Sequence, residues 1–310
     1  MKKILILYGG KSFEHEISCM SCENICKCLD SSDFNYDKVY ISKENKWYLI
    51  KSGNKVELLN IIDFLKKYDL VFPIMHGAFG EDGRMQAFLE LFNIKYIGSN
   101  SSSSLIAMNK YFTKVIVDKN NIRQIPYFIL RKSEKIPTNI IFPVIVKPTN
   151  GGSSIGISIA NSYNELKDSL KLAFKYDECV IVEKFIKGIE LECGIVETNK
   201  LIVGDVGEIK HSHKFYDFDA KYNGKTSIII PAKIDKILEK QIKIETLKIF
   251  KILNLKDFAR IDFIYDNENN ILYFNEVNTI PGFTNGSMFP LMFKSKKLDF
   301  PKLIEKIIKK

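Results

Sequence analysis

The stretch RIDFIYDNENNILYFNEVNTIPGFTNGS, residues 260–287, decides how the chain reads. It scans as two strands, 256–265 and 271–277, joined by a turn of Asp266, Asn267, Asn269 and Asn270. Side chains alternate faces along a strand, so Arg260 and Asp262 share a face, as do Glu276 and Asn278 on the returning strand. If the two strands pair, all four converge. Two carboxylates and an amide oxygen are hard ligands that suit Mg²⁺ held together with substrate phosphates, not a soft metal. The same pattern also fits a half-buried hairpin with a solvated polar face. Beyond it, Thr279-Ile280-Pro281-Gly282 turns the chain sharply, and 284–287 brings hydroxyls and backbone N–H groups to the same point.

Working outward, 310 residues bury a large core and divide into two or three domains. Hydrophobic residues make up 45% and charged residues 27%, which is ordinary for a globular chain. The net charge of +9 comes from dispersed lysines such as Lys294, Lys296, Lys297, Lys306, Lys309 and Lys310. No aromatic-basic motif or helix-turn-helix pattern accompanies them, so a small anionic substrate is expected and not nucleic acid. The opening apolar run stops at Gly9-Gly10, too short for a signal peptide, and reads as a first strand. No apolar run approaches the ~20 residues of a membrane span. The chain is expected to be cytoplasmic. Cys19, Cys22, Cys26 and Cys28 raise a zinc site or a redox pair. Three of them fall on one stripe of a helix expected over 16–29, which reads instead as buried thiols.

Strands alternate with helices up to about residue 97. Strands are expected at 4–8, 38–41, 47–50, 70–75 and 95–97, and helices at 16–29, 61–67 and 84–92. Glycines 77, 80 and 83 form a loop, and a mostly parallel sheet follows from the pattern. A second unit carries a helix at 109–118, strands at 127–130, 144–147 and 157–160, and a helix at 163–175. A third opens with a strand at 179–184, continues extended through 188–196, and has a long polar loop at 208–227 and a helix at 236–253.

The loop Gly151-Gly152-Ser153-Ser154-Ile155-Gly156 lies between two strands. Glycines let backbone N–H groups approach phosphate oxygens, and serine hydroxyls add donors. It is not a Walker loop, because no Gly-Lys-Ser/Thr follows. Lys147 ends the preceding strand and aims a cation the same way. In 183–190, backbone groups at Lys184 and Ile186 fit an adenine edge and Glu190 fits ribose hydroxyls. An ordinary surface connection fits that stretch as well. The loop around 213–222 mixes aromatics and charges and reads as a lid; His211 and His213 read as loop surface.

Taken together, the chain resembles the ATP-grasp enzymes of the D-alanine–D-alanine ligase family. The resemblance rests on GGKSFEHEIS at 9–18, HGAFGEDG at 76–83, MNKYFTK at 108–114, VKPTNGGSSIG at 146–156, EKFIKGIE at 183–190, YDFDAKY at 216–222, RIDF at 260–263 and NEVNTIPGFT at 275–284. It implies an α/β (in part α+β) ATP-grasp fold with a Rossmann-like N-terminal domain. The three domains would span 1–97, 98–178 and 179–310, with the lid at 208–227. It also implies ATP-dependent joining of two D-alanines through a D-alanyl phosphate for peptidoglycan precursors, with two Mg²⁺ or Mn²⁺ ions, in a cytoplasmic homodimer.

The residue roles it implies are as follows. Asp262, Glu276 and Asn278 hold metal, and Lys110, Lys147 and Lys221 hold phosphates. Ser153, Ser154, Glu183, Lys184, Phe185, Ile186, Glu190, Asn275 and Glu276 contact the nucleotide. Arg260 and the N–H of Gly282 stabilise the oxyanion, Glu14 holds the first ammonium, and Ser153 and Tyr222 bond with Glu14 to close the lid. His76 lies by the first substrate; Ser287 and Met288 meet the second. The sequence departs from the family pattern at Asn109 (often Asp), Phe185 (often Trp), Gly286 (often His) and Ala87 (often Gly). Alternatives are D-serine or D-lactate as second substrate, or a non-catalytic nucleotide-binding protein; Tyr222 argues against D-lactate and apolar Met288 against D-serine.

Overall fold

The computed structural model describes residues 2–211 and 226–310. The first sheet uses β1 (Lys3–Gly9), β2 (Asn35–Ile41), β3 (Trp47–Lys51), β4 (Asn54–Glu57) and β5 (Leu70–Pro73), in the order β4-β3-β2-β1-β5. β1 runs parallel to both β2 and β5, whereas β3 and β4 join antiparallel. The expected mostly parallel sheet is therefore parallel only in its inner part. β1 carries four consecutive core residues, Ile4 to Leu7, because both of its faces are covered. The strand expected at 95–97 is a single parallel bridge, Val71 to Tyr96. Helix α1 (His15–Asp30) packs on this sheet through Cys22, Ile25, Cys26 and Leu29. All six cysteines are free; of the expected buried stripe, Cys22 and Cys26 are buried and Cys19 is half-buried. Helices α2 (Ile61–Leu65) and α3 (Arg84–Leu91) complete this part.

Helix α4 (Ser101–Met108), not foreseen from the sequence, leads into α5 (Lys110–Lys119). The side chain of Asn109 accepts the N–H of Phe112 at 3.0 Å, so asparagine serves here as an ordinary N-cap. Next come β6 (Tyr127–Arg131), β7 (Val144–Pro148), β8 (Ser158–Ala160), α6 (Tyr163–Ala173) and β9 (Cys179–Lys184), which form the sheet β6-β9-β7-β8. β9 pairs with both β6 and β7, so it completes the middle sheet and does not open the third.

The third sheet is antiparallel throughout: β10 (Ile189–Glu197), β11 (Leu201–His211), β12 (Thr226–Ile229), β13 (Phe258–Asp266) and β14 (Ile271–Asn278), in the order β12-β11-β10-β13-β14. Part of the loop expected at 208–227 is thus strand, since β11 runs to His211 and pairs with β12 from Thr226. Helix α7 (Lys236–Ile252) covers one face through Leu238, Ile242, Ile249 and Phe250. The chain ends in α8 (Met288–Leu291) and α9 (Phe300–Lys309), whose apolar side chains enter the same core as β1, β5 and α1. The first and third sheets are joined through that core.

Candidate functional site

The hairpin β13–β14 pairs Arg260 with Asn278 and Asp262 with Glu276. A register shift falls between Asp262 and Phe263, so Phe263 faces Phe274 and Asn275 is the extra residue. Without that bulge, Phe274 and Glu276 would share a face. With it, Phe274 is fully buried while Glu276 stays half-buried on the polar side. β10 lies on the other side of β13 and sets Glu192 opposite Asp262.

The convergence expected of these residues is present. The Arg260 guanidinium forms a fork with both oxygens of Asp262, at 2.8 Å each, and its Nε lies 2.8 Å from Glu192. Burial opposes the charge on Arg260, but Asp262 and Glu192 outweigh it and hold the group charged. Asn278 donates its side-chain amide to Asp262 at 2.8 Å. Lys110 donates to the Gly151 carbonyl at 2.7 Å and lies 3.5 Å from Glu276, which ties the glycine loop to the hairpin.

A cleft of about 580 Å³ opens over this face. Its walls include Glu14, His76, Lys110, Ser153, Arg260 and Glu276, and further along Asn278, Gly282, Ser287 and Met288. The Glu14 carboxylate is seated over two glycines: a Cβ at Gly77 would meet its Oε2 at 2.6 Å and one at Gly152 at 3.4 Å. Ser153 and Ser154 both have positive φ, 52° and 60°, a conformation that costs non-glycine residues of order 1–3 kcal/mol and gathers at functional sites. The buried Ser153 hydroxyl has no hydrogen-bond partner among the described residues.

The turn after β14 is held from the first sheet. His76 is buried at the edge of the cleft, with Nδ1 2.8 Å from the Ile280 carbonyl and Nε2 2.8 Å from the Ser21 hydroxyl. Donation from Nδ1 leaves Nε2 as the acceptor, and burial keeps the ring below its ordinary pKa. Glu81, to which the sequence reading gave no role, accepts the N–H of Gly77 and of Ile280 at 2.7 Å each. Ser287 accepts the Thr284 N–H at 3.2 Å, and its hydroxyl would lie 2.8 Å from a Cβ at Gly282, so a larger residue there would displace the Ser287 side chain.

Other expected site residues lie apart from this cleft. Lys147 pairs with Glu183 at 2.7 Å and lies 3.3 Å from Asn275. Glu183 is fully buried and also pairs with Lys114 at 2.7 Å, so its carboxylate reaches lysines and no open cavity. The Lys184 N–H donates to the Pro126 carbonyl and the Phe185 N–H to Pro143, so neither is available to an adenine edge. Ile186 follows in the connection to β10, and Glu190 lies at the start of β10. Lys221, Tyr222 and His213 lie outside the described residues. Lys114, Glu81 and Glu192 escaped the sequence reading; for Lys114 the signal was its place four residues after Lys110 on the same helical face.

Comparison with known proteins finds relatives along nearly the whole chain. The family model described as D-ala D-ala ligase C-terminus matches residues 112–309, and that described as D-ala D-ala ligase N-terminus matches 3–63 and 50–99. A D-alanine–D-alanine ligase of Acetivibrio thermocellus is 36% identical, with 99% of this chain and 95% of the relative covered. Among solved structures, the VanG D-Ala:D-Ser ligase from Enterococcus faecalis superposes with a TM-score of 0.89 at 33% identity, covering 99% of this chain and 98% of that one. The D-alanine–D-alanine ligase from Bacillus anthracis complexed with ATP gives 0.81 at 29% identity, covering 100% and 97%.

Proposed function

The chain belongs to the D-alanine–D-alanine ligase family, and from that premise we propose how its cleft performs the reaction. The enzyme is an ADP-forming, ATP-dependent ligase that joins two D-alanines. A carboxylate oxygen of the first D-alanine attacks the γ-phosphorus of ATP, and ADP leaves. The amine of the second D-alanine attacks the resulting acyl phosphate, loses a proton, and phosphate departs with the peptide bond formed. The product serves cell-wall precursor synthesis.

The observation that carries this reading is the bulged hairpin, which lines up Arg260, Asp262, Glu276 and Asn278 beside the Gly282 turn. Preset donors aimed at developing charge are the largest source of catalysis in acyl and phosphoryl transfer. In our reading Arg260 and the Gly282 N–H take the oxyanion and Glu14 takes the first ammonium. Ser287 binds the second carboxylate, and His76 holds the turn beside the first substrate. Ser153, with its unpartnered hydroxyl, and Tyr222 hydrogen-bond with Glu14 in this reading. Lys110, Lys147 and Lys221 contact the phosphates. Ser154, Phe185, Ile186, Glu190 and Asn275 frame the nucleotide, with Glu183 acting through Lys147. The all-oxygen set of Asp262, Glu276 and Asn278 on adjacent strands fits hard divalent ions. Two Mg²⁺ or Mn²⁺ ions bound there would neutralise the charge on the transferring phosphoryl group.

We also propose three domains, 1–97, 98–184 and 185–310, the second boundary following β9. The remaining proposals are a homodimer, which molecular mass by light scattering tests, and a cytoplasmic location. Among the described residues no helix is long and apolar enough to cross a membrane.

D-serine as second substrate is the alternative that the likeness to a D-Ala:D-Ser ligase favours. Met288 is buried and apolar beside Ser287 and suits a methyl group better. An apolar wall discriminates only weakly against one added hydroxyl, so slow D-serine use is expected as a side reaction. The test is phosphate release from ATP and Mg²⁺ with D-alanine, then with D-serine or D-lactate added, products identified by mass. D-alanyl-D-alanine as main product upholds the proposal; D-alanyl-D-serine or a depsipeptide as main product overturns the role of Met288.

A further inference from the structure

We propose that Lys114 is a positioning residue for the phosphates: its charge offsets Glu183, so that the charge of Lys147 remains available to the nucleotide. This rests on the reading of Lys147 as a phosphate ligand. The geometry is a row of three. Glu183 is fully buried, with Lys114 2.7 Å from one carboxylate oxygen and Lys147 2.7 Å from the other. Lys114 itself is 1% exposed and lies over the rings of Tyr127 and Phe274, at 5.6 and 5.9 Å. It reaches no part of the described cleft and can contact no substrate there.

Charge counting gives it a task. Lys147 and Glu183 alone form a neutral pair, and a neutral buried pair attracts a polyphosphate weakly. With Lys114 the row carries one net positive charge. Burial would raise the Glu183 carboxyl, but the two ammonium groups outweigh it and bring it down to about 2, so the carboxylate stays ionised; burial lowers the Lys114 ammonium against the pull of Glu183. Lys147 also senses Glu276 and Glu190, which makes the extra cation more consequential. Helix α5 thus contributes twice to one site. Lys110 faces the cleft and the glycine loop, and one turn on Lys114 pairs with Glu183 on β9, the strand beside the one that carries Lys147. A purely structural salt bridge would do as well with any partner that fills the space and satisfies Glu183.

The experiment measures binding of ATP and of adenosine to the full chain with Mg²⁺, by calorimetry. Wild type is compared with Lys114→Met, Lys114→Gln and the double variant Lys114→Met/Glu183→Gln, with melting curves to establish folding. Lys114→Gln keeps a donor for Glu183 without the charge and remains informative if Lys114→Met does not fold. Both single variants are expected to bind ATP about tenfold more weakly and adenosine within about twofold of wild type. The double variant, again with one net positive charge, should recover most of the ATP affinity. Equal losses for ATP and adenosine, no loss, or no recovery in the double variant would each overturn the proposal. A wild type that binds adenosine as tightly as ATP would instead remove the reading of Lys147 on which it rests.

Discussion

At Glu81 one carboxylate holds two backbone N–H groups from segments far apart in sequence, those of Gly77 and Ile280. Burial, with the charge of Glu14, raises its pKa from 4.5 to about 8, against the pull of the two N–H groups and of Arg260. Between those values the folded chain keeps a proton that the unfolded chain has released. Stability from this group is therefore lost as pH rises from about 4.5 to about 8. Glu81→Gln should remove that slope. Across thermal melts from pH 5 to pH 8.5, the variant should gain on wild type by on the order of a few kcal/mol. A constant gap would show that Glu81 does not titrate there. Gly77 gives a second prediction. An alanine there would press its Cβ on Glu14, whereas Gly53, also at positive φ, has open space around it. Both substitutions should cost roughly 1 kcal/mol of backbone strain, but only Gly77→Ala should lower kcat/KM, by at least about tenfold. Glu81 was hard to foresee because a single charged residue in a loop carries no period; only contacts from distant segments reveal what it holds.

Among the elements, the hairpin was legible because its polar and apolar residues alternate around an Asn-rich turn. The bulge was not foreseen, although its signature is in the sequence: the inward residues Leu272, Phe274 and Val277 break the two-residue period at Asn275. β4 escaped because all four of its residues are exposed and show no alternation. Helix α4 escaped because four serines at its start read as loop. The N-cap of α7 offers a clean test of local stability. Asp235 accepts the N–H groups of Ile237 and Leu238 at 2.8 and 2.9 Å. Asp235→Ala should cost about 1 kcal/mol in urea unfolding and leave kcat/KM unchanged. A change in activity would tie α7 to the site more directly than its packing does.

Across the whole molecule, the first and third sheets share one core. Phe283, just after the site turn, meets Phe258 at 5.0 Å, Phe289 at 5.4 Å and Phe72 of β5 at 6.0 Å between ring centres. Phe283→Ala should cost roughly 3–5 kcal/mol and lower activity further than stability alone explains, because the cavity lies directly behind Gly282. This union was invisible in the sequence, as was the placement of β9 in the middle sheet, since neither follows from the period of any one segment. The central claim concerns chemistry at the cleft: a carboxylate oxygen of D-alanine takes the phosphoryl group before the peptide bond forms. The most direct measurement uses D-alanine labelled with ¹⁸O in its carboxylate, with ATP and Mg²⁺, and mass analysis of the released phosphate. The account predicts one ¹⁸O atom in each phosphate released with the dipeptide. Unlabelled phosphate would mean that water, not the substrate carboxylate, takes the phosphoryl group, and would contradict it.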